Sequence, residues 1–179
     1  GEHALQRRML HILPGQESHH AGHSLAVVRA QGGAVCLEDI AVMRAIPNIV
    51  ILSPADCTAT VKATLAAAKI DAPVYLRLTG SMNCPIVYKE DFNFEIGRAI
   101  FLREGTDVSI IATGSMVYIA IKASEKLAEL GISAEVIDMH TIRPIDKEAI
   151  ERACTKKLII TLEEHSVTGG LGSAVAEIL

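Results

Sequence analysis

Tryptophan is absent from the 179 residues, and aromatic side chains of any kind make up 3%. A chain so poor in rings offers no stacking platform for single-stranded nucleic acid. Basic excess is absent too. Lys and Arg number 17 against 21 Asp and Glu, for a net charge of −4, so nothing draws the whole chain to nucleic acid or to an anionic membrane surface. No apolar run approaches the roughly 18 residues of a membrane span. The opening Gly1-Glu2-His3-Ala4 carries no apolar signal-peptide core. Cysteines are four, Cys36, Cys57, Cys84 and Cys154, without a CxxC pair or a zinc-ligand spacing. They read as reduced, scattered thiols of a cytoplasmic protein. There is no initiator Met, and Leu179 ends the sequence inside a helical pattern with no cap. The expectation is a chain truncated at both ends. What is plentiful is apolar: half of the residues, enough for a sizeable core.

The apolar residues are ordered from Leu37 onward. Leu37, Ile40, Ala41 and Ile46 suit one face of a short helix that stops before Pro47. Asn48–Leu52 reads as a strand buried on both faces. Ser53-Pro54-Ala55-Asp56 opens an Ala-rich helix over Cys57–Ile70, and Pro73–Leu78 is the next strand. Thr79–Asn93, with Gly80, Pro85 and several polar residues, is the best linker. A second series then follows. Ile96–Leu102 and Val108–Ala112 read as strands. Met116–Leu130 is a helix closed by Gly131 as C′ residue. Ala134–Met139 is a strand, Asp146–Ala153 a helix with Asp146 as N-cap, and Leu158–Leu162 a strand. A last helix starts near Ser173, after Gly169-Gly170-Leu171-Gly172. The first 35 residues, which hold His3, His11, His19, His20 and His23, read as loop-rich. Strands alternating with helices predict an α/β fold: two consecutive three-layer domains with mainly parallel sheets, the first incomplete. The boundaries are a partial domain over 1–80, a linker over 81–95, and a second domain over 96–179 that lacks its end.

Among polar residues Arg77 ranks first. Alternation puts it on the face of Tyr75 and Thr79, near the carboxyl end of an apolar parallel strand. That is the end where open α/β sheets bind ligands. A phosphate or carboxylate suits its planar fork, and so does a structural salt bridge to Asp56 or Asp71. His19, His20 and His23 could meet sugar hydroxyls or shuttle protons, but they form no HExxH-type pair for a metal. Thr113-Gly114-Ser115 and Gly169–Gly172 could cradle an anion at a helix start or be ordinary tight turns. Glu163-Glu164-His165 could serve acid–base chemistry or an interface. Cys57, at a helix start, is a lowered-pKa thiol or simply a small buried residue.

Three stretches of the first half, Leu37–Asn48 (LEDIAVMRAIPN), Ile51–Asp56 (ILSPAD) and Pro73–Leu78 (PVYLRL), resemble the pyrimidine-binding domain of the transketolase family. Gly105–Gly114 (GTDVSIIATG), Val136–Asp146 (VIDMHTIRPID) and Thr161–Leu179 resemble that family's C-terminal domain. The motifs come in the family's order. They are most similar to the separate C-terminal subunit of split bacterial transketolases, and the β subunits of 2-oxoacid dehydrogenases and deoxyxylulose-phosphate synthases share the same two domains. The resemblance implies a transferase of carbohydrate metabolism, in the pentose phosphate pathway, that moves two-carbon ketol units between sugar phosphates. It implies thiamine diphosphate with Mg²⁺ as cofactors, the diphosphate held by an N-terminal transketolase subunit or domain. It also implies self-association through this chain. Arg77 falls on the arginine that contacts sugar phosphate, and His20, in Ser18–Gly22 (SHHAG), on a substrate-contacting histidine. No catalytic residue is assigned. Glu2 and Glu17 lie too close to Leu37 to be the family's ring-protonating glutamate, and Ala34 stands where a substrate-binding histidine is expected. Activity of this chain alone is not expected. A non-catalytic oligomerisation fragment is the alternative from another class.

Overall fold

The computed structural model describes residues 37–78 and 84–179 in full and the backbone of 25–29. The first unit begins with a strand, β1 (Leu25–Arg29), inside the stretch read from sequence as loop-rich. Helix α1 (Asp39–Arg44) follows. It stops ahead of Pro47, and Asn48 adopts φ 58, a left-handed turn that Asn tolerates. Strand β2 (Val50–Leu52), helix α2 (Cys57–Ala67) and strand β3 (Val74–Leu78) complete the series. β3 lies between β1 and β2, parallel to both.

Alternation sorts the strand side chains onto two faces. Ile51 and Tyr75 join Ile40 of α1 on one side. Leu52, Val74 and Leu76 meet Ala63 and Ala67 of α2 on the other. The small stripe Ala59, Ala63 and Ala67 is buried. The expected last turn to Ile70 is not α-helical. Lys69 and Ile70 donate to Ala66 and Ala67, the tighter three-residue bonds with which helices often end.

The second unit contains β4 (Ile100–Arg103), β5 (Val108–Ala112), α3 (Met116–Glu129), β6 (Ala134–Asp138), β7 (Thr141–Arg143), α4 (Lys147–Ala153), β8 (Leu158–Leu162) and α5 (Leu171–Ala176). Its sheet runs β4-β6-β5-β8, parallel except for β4. Ile110, Ala112 and Val136 face α3, while Ile111 and Ile137 face α4 and α5. Both sheets therefore sit between helical layers, as the apolar runs predict.

Beyond α2 the helix termini follow the sequence signals, with one exception. Gly131 takes φ 77 after α3, and Asp146 caps α4 by accepting from Ala149 N. α5 starts two residues earlier than expected. The Glu163 carboxylate accepts from the N–H groups of Leu171 at 2.5 Å and Gly172 at 2.8 Å, which frees those residues to begin the helix. β4 starts at Ile100 rather than Ile96, because residues 95–99 turn: Arg98 N donates to Glu95 O and Ala99 N to Asp146 Oδ2.

Two features join the units. β7 lies in the second half of the chain yet pairs antiparallel with β2 at the edge of the first sheet. One buried cluster includes Ile40, Ile51 and Tyr75 together with Ile111, Ile137, Met139, Ile150 and Leu171. Residues 84–95 are packed as well: Tyr88 is 8% exposed and its ring stacks on Phe92 at 3.7 Å. No helix of the described residues is long and apolar enough to cross a membrane.

Candidate functional site

β3 and α1 set the geometry around Arg77. Arg77 is the fourth residue of β3, near its carboxyl end, on the face of Tyr75. Asp39 opens α1 across that face. Its Oδ2 accepts from Tyr75 Oη at 2.7 Å and from Arg77 Nε at 2.8 Å, and both side chains of the Arg77–Asp39 pair are 13% exposed. Arg77 Nη2 donates to the carbonyl of Glu164 at 2.8 Å, in the loop that follows β8. The guanidinium thus stands where the carboxyl edge of the first sheet meets the second unit. It forms a structural salt bridge of the kind the sequence allowed, with Asp39 as the acid.

The 163–170 loop is fastened to α1 along its length. Ser166 N donates to Leu37 O at 2.8 Å. Ala41 N donates to His165 Nε2 at 3.3 Å, and His165 Nδ1 lies 2.7 Å from Ser166 O. The two bonds fix one neutral tautomer, with the proton on Nδ1. Arg44 reaches Gly169 O at 3.0 Å and the Glu177 carboxylate at 2.6 Å. Gly169 has φ 80, and a Cβ there would overlap the Ala41 side chain. At Gly170 it would meet the Glu163 carboxylate and the His165 ring. The glycines permit close approach of loop and helix. Glu163-Glu164-His165 is thereby a joint between units: Glu163 serves α5 and His165 serves α1.

A second polar group is buried at the carboxyl ends of β5 and β6. Asp138 is fully buried, and its Oδ2 accepts from Tyr88 Oη at 2.6 Å. Burial above all, with the nearby Asp56 charge, pushes the Asp138 carboxyl up to about 7 against the pull of the Tyr88 hydrogen bond. Burial and the Asp138 charge push the Tyr88 hydroxyl far up. Asp56, named from sequence as a helix opener and as a salt-bridge candidate for Arg77, caps α2 through Ala59 N at 2.8 Å and accepts from Val87 N at 2.7 Å and Tyr88 N at 2.9 Å. His140 stacks on Phe94 at 4.0 Å, and burial lowers it to about 4.

The other candidates separate. His20 lies outside the described residues, as do His19 and His23. The Thr113–Ser115 turn is filled by protein: Thr113 N donates to Leu162 O, Gly114 N to Ser53 O at 3.1 Å, and Thr113 Oγ1 to Met139 O. Cys57 is exposed at the start of α2. Among the described residues no three His, Cys, Asp or Glu side chains converge to hold a metal ion. The carboxylates just named serve Tyr75 and Arg77, backbone N–H groups, or Tyr88.

Residues 97–179 match the family described as transketolase, C-terminal domain. One subunit of the apulose-4-phosphate transketolase of Phocaeicola vulgatus is 46% identical over 80% of this chain and 46% of its own length. A solved structure described as split gene transketolase, inactive beta4 tetramer, superposes with TM-score 0.82 at 43% identity, over 87% of this chain and 52% of that one. Residues 97–179 belong to the transketolase C-terminal domain family. The 1-deoxy-D-xylulose-5-phosphate synthase of Desulfitobacterium hafniense is 38% identical over 79% of this chain and 23% of its own length. The chain spans about half the length or less of the curated relatives it matches. Asp39 lies inside the LED stretch that carries the resemblance, but nothing in the sequence pairs it with a residue 38 positions on.

Proposed function

We propose that this chain is the C-terminal part of a thiamine-diphosphate-dependent transketolase. It transfers two-carbon ketol units between sugar phosphates in the cytoplasm, and only together with an N-terminal transketolase subunit. On this reading residues 1–80 belong to the family's pyrimidine-binding domain, 81–95 connect, and 96–179 belong to its C-terminal domain. One observation carries the proposal: in a chain of this family, a mostly buried guanidinium stands at the carboxyl edge of a parallel sheet beside a second unit. Arg77 is the phosphate anchor for the sugar, since a planar fork of donors matches phosphate oxygens. His20 is the second substrate contact. Thiamine diphosphate supplies carbanion stabilisation when bound. The described residues do not fit its diphosphate and Mg²⁺, because no three potential ligands converge among them. Those groups are assigned to the partner chain. The relative described as inactive is a tetramer, which supports both self-association and inactivity without a partner.

The test mixes the chain with an N-terminal transketolase subunit, thiamine diphosphate and Mg²⁺, and measures transfer from a ketose phosphate to an aldose phosphate. Transfer by the mixture and by neither part alone is expected. Arg77→Ala should raise KM for phosphorylated sugars roughly thirtyfold, the loss of a charged hydrogen bond, and leave unphosphorylated sugars unchanged. Equal effects on both would remove the anchor role. Absent transfer with retained self-association would leave a non-catalytic oligomerisation module. Reaction with pyruvate in place of a ketose would assign the chain to an enzyme of the 2-oxoacid dehydrogenase or deoxyxylulose-phosphate synthase kind.

A further inference from the structure

An arginine on a strand has four side-chain torsions and reaches a substrate accurately only if something holds it. Charge-assisted hydrogen bonds from a fixed carboxylate are the strongest means a protein has of doing so. Here the holder is unusually well defined. Asp39 Oδ2 takes Arg77 Nε at 2.8 Å and Tyr75 Oη at 2.7 Å. Tyr75 is 2% exposed, packed in the shared core, so the oxygen is located by a side chain that cannot move far. A further guanidinium nitrogen is fixed from the opposite unit by the Glu164 carbonyl at 2.8 Å.

We propose that Asp39 is a positioning residue for Arg77, and that with the 163–170 loop it forms a clamp that aims the guanidinium at the phosphate of a sugar substrate. The substrate class rests on the function proposed above. The clamp itself rests on geometry. α1 carries Asp39, and the loop is tied to Leu37 just ahead of α1 and to Ala41 and Arg44 within it. The two holders of Arg77 therefore move as one body. The C-terminal unit acts on the guanidinium through a backbone carbonyl and through the seat of α1. Orientation of this sort contributes to binding by removing freedom from the receptor before the ligand arrives.

The clamp predicts coupling, not mere stability. The assembly of this chain with its N-terminal partner is assayed with xylulose 5-phosphate and with xylulose as donors. Asp39→Ala should raise KM for the phosphorylated donor about tenfold, keep kcat within about twofold, and leave the unphosphorylated donor unaffected. Asp39→Asn keeps an acceptor oxygen and loses the charge, so its effect should be smaller, about threefold. The double variant Asp39→Ala with Arg77→Ala should be no worse than Arg77→Ala alone, because Asp39 acts only through Arg77. Additive losses, or equal losses on both donors, would overturn the proposal. If Asp39→Ala fails to fold, Asp39→Asn carries the same comparison.

A readout without turnover keeps the clamp separate from the function reading. In nitrogen-15 NMR of the free chain, the Arg77 Nε–H should exchange slowly in the wild type and at the rate of a free arginine in Asp39→Ala. Unchanged exchange would overturn the clamp. A wild-type assembly without transfer, but with the protected Nε–H lost on substitution, would sink the proposed function and leave the clamp standing.

Discussion

Asp138 and His140 lie two residues apart, both fully buried, and their proton affinities are displaced in opposite senses. Asp138 is raised from 3.8 to about 7. The folded state therefore binds its proton more tightly than the unfolded chain, and its contribution is full below pH 4 and lost as pH rises through 7. His140 is lowered from 6.5 to about 4, chiefly by burial, against a hydrogen bond to the Arg98 backbone and the Asp146 charge. Its contribution is full above the unfolded value and lost as pH falls through 4. At about 1.4 kcal/mol per tenfold change in proton affinity, the Asp138 displacement corresponds to at most about 4 kcal/mol and that of His140 to about 3 kcal/mol. Between about pH 4 and pH 6.5 the two slopes oppose each other, so the wild type should be nearly flat there.

Single substitutions should unmask each slope. Urea midpoints measured across this range would show Asp138→Asn gaining stability as pH rises, by about 3 kcal/mol, as the His140 slope appears alone. His140→Gln should lose about 4 kcal/mol from about pH 4 to pH 7. Groups common to all three proteins cancel in the differences. Parallel profiles for the wild type and Asp138→Asn would refute the argument, because they would mean that Asp138 carries no displaced proton.

Three further outcomes follow from single contacts. Asp56→Ala removes the α2 cap and orphans the N–H groups of Val87 and Tyr88; a loss of about 3 kcal/mol is expected by urea denaturation, and a loss below about 1 kcal/mol would show those groups to be satisfied by water. Gly169→Ala forces a left-handed Cβ into Ala41, which should cost about 2 kcal/mol and raise KM for phosphorylated donors by displacing α1; an unchanged melting temperature would contradict the close approach. Tyr88→Phe removes the hydrogen bond that lowers Asp138, so the loss of stability that Asp138 imposes above about pH 6.5, where His140 no longer opposes it, should extend to higher pH; an end point at lower pH would reverse the assigned cause.

The alternating architecture was legible because its strands are short, mostly apolar runs with helical stretches between them. Val108–Ala112 and Leu158–Leu162 have the expected bounds, each being an apolar run closed by polar or glycine neighbours. Period-two alternation also placed Arg77 on the side of Tyr75, where both meet Asp39. What could not be read was pairing over distance. β7 is three residues long and gains its partner only when the second half of the chain folds against β2. β1 was masked by the glycines and histidines around it. Asp39 and Asp56 are the same residue type, and both lie at helix starts. Only the crossing of α1 over β3 decides that one holds an arginine and the other holds backbone N–H groups.

The stretch 84–95 shows which sequence signal deserved more weight. Pro85 and its polar neighbours give it the composition of a connector. Yet Tyr88, Phe92 and Phe94 are three of only six Phe and Tyr residues in the chain. Large rings are seldom left in water when a chain has so few. Each of these rings is stacked: Tyr88 on Phe92, Phe94 on His140. Through them the stretch touches Asp138 at the end of β6 and Asp56 at the start of α2. A segment that contacts both sheets' ligand-facing ends fixes the orientation of one unit against the other. That orientation in turn sets where the Glu164 carbonyl meets Arg77. Loosening the stretch at Tyr88 should therefore disturb Arg77 without touching it, a displacement that the Nε–H exchange of Arg77 in Tyr88→Ala would register.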